Sequence, residues 1–329
     1  MPAPCKIAIT VGDMNGIGPE VTLKALKEWR APSHCQLVLI GPQWAFAFWM
    51  KNLGLAGSYP VAESFEALAK KPVVILDVFP KTGEVHPGKL TPEAGKIAGR
   101  ALDAAVELCK EQKLQAMVTA PVSKKGLDLG GYHFPGQTEL IADKLGIGNF
   151  AMLMLTGDFR VSPVTIHLPL KRVAQAISME RIVDKLRTLD RDLRERFGVA
   201  KPRIAVTALN PHAGEGGLLG DEEQRLIAPA LAQAKDLGID VEGPFPADAL
   251  FGRVDKNRFD CYLAMYHDQA LIPLKMRGFG RAVNYTAGLP IIRTSPDHGT
   301  AYDIAGTNSA EPTSMVEALR LAVSLAAKS

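Results

Sequence analysis

The chain of 329 residues holds only four cysteines, Cys5, Cys35, Cys109 and Cys261, far apart and with no CxxC pair. That sparseness excludes a disulfide-dense scaffold, and we read four reduced, mostly packed thiols. No window approaches the roughly 20 apolar residues that a membrane-spanning helix needs. The start, Met-Pro-Ala-Pro-Cys-Lys, runs straight into Ile7-Ala8-Ile9-Thr10, without the charged and then apolar stretches of a secretory leader. A cytoplasmic location is the expectation. Nor is there charge of one sign to spare: 38 basic against 35 acidic residues leave a net +3. That near-balance argues against nucleic-acid and membrane partners. Disorder is excluded by a hydrophobic content of 47%, enough for a large buried core. Neither GxGxxG nor a Walker pattern occurs, so a standard Rossmann nucleotide site is not expected.

What is present alternates. Short apolar runs at 6–11, 36–40, 73–78, 116–119, 152–156, 161–166, 204–208, 261–265 and 282–285 read as strands buried on both faces. Helical segments lie between them. Thr91 is placed to cap a helix that has Pro92 at its first position and Glu93 at its positive dipole end, running to about Lys110. Ile182, Leu186, Leu189, Leu193 and Phe197 form one apolar stripe, closed by Gly198. Further helices are expected at Pro19–Trp29, from Asp221, at Glu139–Leu145 and from about Pro312. This order predicts an α/β protein with largely parallel sheets. The length predicts two lobes, and the absence of a linker predicts that the chain crosses between them more than once. One cleft would lie between the lobes.

Three of the seven histidines stand where strands should end: His167 after Val-Thr-Ile, His212 in Asn-Pro-His-Ala-Gly-Glu, and His267 in Met-Tyr-His-Asp-Gln. Taken singly, each reads as a hydrogen-bonded loop residue. Together they suit a divalent cation, because strand ends of a parallel sheet converge and three imidazoles leave a coordination position open for substrate. Lys275, Asn284 and Arg293 form a polar series able to anchor phosphate or carboxylate. Gln137 and Thr138 open the 139–145 helix and could aim polar groups at an anion. Gly12–Glu20, GDMNGIGPE, is a glycine-rich strand-to-helix loop, as readily structural as functional. His298–Gly306 alone reads as a loop.

Taken together, GDMNGIGPE, TAPVSK, FPGQTE, TIHLPL, LNPHAGEGG, AMYHDQ, GLPIIRTS and HGTAYDIAG resemble the 4-hydroxythreonine-4-phosphate dehydrogenase family of pyridoxal phosphate biosynthesis. The resemblance runs from Ile7 to the C-terminal helix. It implies a two-lobed, three-layer α/β/α fold like that of isopropylmalate and isocitrate dehydrogenases, with the active cleft at a homodimer interface. On it we expect a first lobe of residues 1–130 plus 290–329, carrying a cofactor-binding turn, and a second lobe of 131–289 with the metal and substrate residues. By motif match, His167, His212 and His267 are metal ligands, and Gln137, Thr138, Lys275, Asn284 and Arg293 contact substrate. His298, Gly299, Ala301 and Asp303 match the adenosine-binding turn of the isopropylmalate dehydrogenases. Asp268 and Lys275 are candidates for proton handling.

The implied reaction is oxidation of 4-phosphooxy-L-threonine at C3 by NAD, or NADP, followed by decarboxylation to 3-amino-2-oxopropyl phosphate. Imidazole ligands favour Zn2+, with Mg2+ and Co2+ as alternatives. Two motifs depart from the family. Met14-Asn15 replaces Pro-Ala, for which little effect is expected, and Gln137 stands where a histidine is usual. An amide near phosphate can hydrogen-bond but cannot carry charge. Three other readings stay open: a sister dehydrogenase of phosphorylated threonate or erythronate, a dihydrodiol dehydrogenase, and a metal-dependent ligand-binding protein without chemistry. TAPVSK leans away from the first, the cations Lys275 and Arg293 away from the second, and the complete ligand set away from the third.

Overall fold

The computed structural model describes residues 5–255 and 259–328. Contacts divide the chain into two compact units, Met1–Gly148 with Leu289–Ser329, and Asn149–Gly288. The chain therefore leaves the first unit once and returns to it.

The first segment supplies β1 (Cys5–Thr10), α1 (Gly18–Glu28), β2 (Cys35–Ile40), α2 (Gln43–Asn52), β3 (Val61–Ala62), β4 (Val73–Leu76), α3 (Pro92–Lys110), β5 (Ala116–Thr119), α4 (Lys124–Leu129) and α5 (Gln137–Lys144). The strands are parallel in the order β3-β4-β2-β1-β5. β5 is buried at every position, as a strand covered on both faces should be. The Thr91 side chain accepts a hydrogen bond from Ala94 N at the start of α3, and α3 packs on β1, β2 and β5.

The second unit contains β6 (Ala151–Thr156), β7 (Phe159–Thr165), α6 (Val173–Ala176), α7 (Met179–Glu195), β8 (Arg203–Thr207), α8 (Ala228–Asp236), β9 (Asp240–Phe245), α9 (Ala247–Phe251), β10 (Cys261–Tyr266), α10 (His267–Gly278) and β11 (Val283–Ala287). Its strand order is β11-β6-β7-β10-β8-β9. β7, β10, β8 and β9 are parallel. β6 runs antiparallel to both β7 and β11, so the expectation of largely parallel sheets holds more fully for the first unit. α10 seats Ala270, Leu271 and Leu274 in a core with Phe159, Val161 and Tyr262; each leucine contributes about 2 kcal/mol by burial. Inside this unit the buried Asp192 of α7 accepts from Tyr285 Oη at 2.8 Å and Gly288 N at 3.0 Å. The chain then returns to the first unit as β12 (Ile292–Pro296), beside β5, and α11 (Thr313–Ala326), which packs on β12, β5 and β1.

Several expectations need correction. Residues 131–148 belong with the first unit rather than the second. Tyr132 explains why: its hydroxyl donates to Asp103 of α3 at 2.9 Å, and its ring fills the space that a Cβ at Gly99 would need. The 282–285 strand starts one residue later and extends to Ala287. Strands β3, β9 and β12 carried no strand signal: the first is two residues long, the second contains Gly-Pro, and the third contains Arg293. Reduced thiols hold for Cys109 and Cys261, both buried, but not for Cys5 and Cys35, which form a disulfide. Parallel register sets those two opposite each other with Cα atoms 4.7 Å apart, within disulfide range. Residues 1–4, part of the expected N-terminal run, lie outside the described residues.

The Met14-Asn15 departure is structurally used. Asn15 is fully buried; its Nδ2 donates to Lys89 O and Thr91 Oγ1, and its Oδ1 accepts from His86 N. Replacing Asn15 with alanine leaves these groups without their partner, at about 2 kcal/mol. Thermal or urea unfolding of Asn15→Ala is expected to show that loss.

Candidate active site

In the second unit, β7, β10 and β8 lie side by side and parallel. The chain reaches His167 two residues after β7 ends, His267 directly after β10, and His212 five residues after β8. All three histidines therefore leave the carboxyl edge of three adjacent strands, where parallel sheets place ligands. The rings of His167 and His267 are 5.8 Å apart between centroids. Two imidazoles sharing a tetrahedral zinc at Zn–N of about 2.0–2.1 Å would have centroids about 5 Å apart, so this pair suits a shared cation. His267 Nδ1 lies 2.7 Å from Asp268 Oδ1. With that carboxylate accepting from Nδ1–H, the Nε2 lone pair is left for a metal. Within one chain His212 does not close a triple with them: among the described residues the group whose three ligand atoms lie within 4.8 Å is Cys5, His34 and Cys35.

The loop bearing His212 is held in an unusual conformation. His212, Ala213 and Glu215 have φ of 52, 55 and 44°, and Gly214, Gly216 and Gly217 are positive as well. Left-handed backbone costs a non-glycine residue about 1–2 kcal/mol, so something must hold it. Glu223, 4% exposed, accepts from Leu209 N and Asn210 N at 2.8 Å each and from Asn210 Nδ2 at 3.0 Å. A Cβ at Gly214 would come within 2.7 Å of Glu223 Oε2, so the loop passes directly over this carboxylate.

A second brace joins the strands themselves. Gln269 Oε1 accepts from Thr207 Oγ1 and Met265 N, each at 2.7 Å, and its Nε2 donates to Ala208 O at 2.8 Å. One amide thus ties the end of β8, leading to His212, to the end of β10, leading to His267. Gln269→Leu keeps the volume but strands these groups. Metal affinity is expected to fall about 10–100-fold, the usual cost of losing an outer brace, with far-ultraviolet circular dichroism unchanged; titration calorimetry reads the affinity. The amide Oδ1 of Asn284, on β11, is buried without a hydrogen-bond partner, while Lys275 is exposed on α10.

In the first unit Arg293 is wholly buried in β12. Its Nε and Nη2 donate to Thr119 Oγ1 at 3.1 and 2.8 Å, and Nη1 donates to Thr138 Oγ1 at 3.2 Å. Desolvation pushes its pKa down to about 10, opposed by Glu139, so it stays cationic at neutral pH. Gln137 sits beside Thr138 with its Oε1 buried and unpartnered. Buried polar atoms without partners are rare and point to a ligand or water.

The 298–306 turn packs against the glycine-rich loop. Ile17 N donates to Thr300 O at 2.9 Å, and a Cβ at Gly16 would meet Thr300 O at 2.7 Å. Tyr302 Oη donates to Asp13 Oδ2 at 2.5 Å. Burial raises the Asp13 carboxyl above its usual range, against the lowering effect of the Tyr302 and backbone hydrogen bonds. His298 is pushed down by desolvation, and its Nε2 is buried without a partner. Ala301 has φ of 40° and Gly299 has open space where a Cβ would project; Asp303 is exposed. Glu223, Gln269, Asp13 and Tyr302 were not singled out from sequence. Asp13 and Tyr302 lie inside motifs that were, and their pairing required the fold.

Over residues 33–322 the chain matches the family model described as pyridoxal phosphate biosynthetic protein PdxA. The chain belongs to this family. It is 43% identical to the 4-hydroxythreonine-4-phosphate dehydrogenase of Cupriavidus pinatubonensis, across 99% of this chain and 96% of that one. It is 41% identical to the D-threonate 4-phosphate dehydrogenase of Salmonella typhimurium, across 97% and 98%. A solved 4-hydroxythreonine-4-phosphate dehydrogenase from Klebsiella pneumoniae superposes with a TM-score of 0.88 at 38% identity, covering 98% of this chain and 99% of that one. This PdxA-family chain is an oxidoreductase of the dehydrogenase class, with the mixed α/β fold that the motifs implied.

Proposed function

We propose that this protein oxidises 4-phosphooxy-L-threonine at C3 with NAD and a divalent cation, followed by decarboxylation to 3-amino-2-oxopropyl phosphate. The observation that carries the reading is the placement of His167, His212 and His267 at the ends of three neighbouring parallel strands. Because the three do not close on one point within a chain, we assign the complete ligand set to a homodimer, drawn from two copies. α10 supports this: Ile272, Met276 and Phe279, at 59, 83 and 83% exposure, form an apolar strip on and just beyond the helix that begins at His267. Large apolar side chains left this exposed so near one another in the chain are what an association surface would cover. Light scattering should accordingly give a dimer mass.

When bound, the cation would acidify the substrate hydroxyl and hold negative charge on that oxygen through both steps. His267 would present Nε2 to the cation, with Asp268 holding the Nδ1 proton and so fixing the tautomer and the orientation of the ring. Arg293 would hold the phosphate bidentately, with Gln137 and Thr138 beside it. Asn284 would orient a polar group of the substrate, and Lys275 would neutralise its carboxylate until carbon dioxide leaves. The turn at His298, Gly299, Ala301 and Asp303 would seat the adenosine end of NAD, with NADP as the alternative. The buried His298 Nε2, which has no hydrogen-bond partner, supports this reading.

A second reading, oxidation of phosphorylated threonate or erythronate, is favoured by Gln137 and by the near-equal identity to the two named relatives. Both readings share the metal and cofactor. A substrate panel followed by NADH absorbance, with and without chelator, decides between them. Chelator-sensitive NADH with 4-phosphooxythreonine supports the first, NADH with phosphothreonate alone supports the second, and none with either supports a binding protein.

A further inference from the structure

β1 and β2 begin side by side in the first unit, at the opposite end of β1 from the glycine-rich loop. Cys5 and Cys35 are register partners joined by a disulfide, and His34 O accepts from Cys5 N at 2.9 Å. Ligand atoms of Cys5, His34 and Cys35 all lie within 4.8 Å of one another. The cysteines are 3 and 4% exposed, and His34 Nε2 is buried with no hydrogen-bond partner. A buried nitrogen left so costs about 1–3 kcal/mol, which a bound cation would relieve. Two thiolates and an imidazole are the donor set of zinc and other thiophilic ions. No carboxylate belongs to the group, which disfavours calcium and magnesium.

We infer that in its dithiol form the Cys5–His34–Cys35 cluster binds a thiophilic divalent cation such as Zn2+, at a site that shares no residue with the three-histidine site. The disulfide and the cation-bound form exclude each other, because disulfide sulfur carries no charge to donate. An external dithiol reductant opens the bond: it supplies two electrons and two protons, leaves two thiols, and becomes a disulfide itself. Cation binding then releases those two protons as both sulfurs ligate as thiolates. Three protein ligands leave a fourth position for water.

Cobalt tests this without interference from the histidine site, because thiolate-to-cobalt charge transfer requires sulfur. Cys109 and Cys261 add no competing thiolate, since burial pushes both thiols up to about 12. The full-length chain, reduced with a dithiol and freed of it under nitrogen, is titrated with Co2+. A charge-transfer band whose saturating amplitude corresponds to one sulfur-ligated ion per chain, and which Zn2+ displaces, is the expected result. The band should be absent from the disulfide form and from Cys35→Ser, and His34→Ala should bind about tenfold more weakly or worse. No band in the reduced, unmutated chain overturns the inference, as does a band that persists in Cys35→Ser or is unweakened in His34→Ala. The comparison of reduced with oxidised wild-type protein needs no variant, so a folding defect cannot mask the answer.

Discussion

Replacing His267 with alanine is expected to lower kcat/KM about a thousandfold while leaving the unfolding midpoint within a few degrees. The first effect follows from the proposed ligand role of His267: a catalytic cation supplies several kcal/mol to the transition state, about 4 kcal/mol corresponding to three decades. The second follows from position: the His267 side chain is 37% exposed, and the core under α10 is built by Ala270, Leu271 and Leu274 instead. His212→Ala should behave alike. Mixing the two inactive variants then tests where the ligands come from. If the cation is shared across a dimer, half of the reassorted dimers carry one intact site, so about a quarter of wild-type activity returns. If all three ligands come from one chain, none returns.

Arg293→Met should raise KM for a phosphorylated substrate about a hundredfold, with a much smaller change in kcat. Two charge-assisted hydrogen bonds to phosphate are worth about 3 kcal/mol together. Methionine refills the space, and removing a fully desolvated cation offsets part of what Thr119 and Thr138 lose as partners, so stability should change little. The pH dependence has a definite sign. Burial lowers the guanidinium to about 10, so it is cationic at neutral pH, and the hold on phosphate proposed for it should weaken only as pH rises through that value. Steady-state kinetics with a phosphorylated and an unphosphorylated substrate would read this directly; an equal loss on both would remove Arg293 from the phosphate site.

Local rules carried much of the fold. Thr91 and Pro92 marked the start of α3 because a cap hydroxyl and a ring-constrained first turn need no tertiary information. The α7 stripe from Ile182 to Leu193 was legible from spacing alone. The strand-end positions of the three histidines were legible for another reason: the apolar runs of β7, β8 and β10 end visibly, whereas the separation of His212 from the other two within one chain was not legible. What could not be read depended on register or on context overriding composition. Cys5 and Cys35 meet only because β1 and β2 align residue for residue. Arg293 stood out as a possible anion anchor, but its burial in β12 beside Thr119 and Thr138 was not legible, because a charged residue gives no strand signal. Gln269 sat in a recognised motif, but its value as a clamp lies in the spacing between two strand ends, which no linear pattern encodes. The antiparallel β6 hid because its apolar run resembles that of a parallel core strand.

The return of the chain to its first unit sets an order of assembly. The second unit begins and ends at one place, since Ala151 faces Ala287 across β6 and β11 and Asn149 O lies 3.0 Å from where a Cβ on Gly288 would sit. It is an insert with joined ends, able to mature as soon as it leaves the ribosome. The first unit cannot finish then, because β12 and α11 follow the second unit in the chain. A nascent chain halted near residue 290 would carry a finished guest inside an unfinished host.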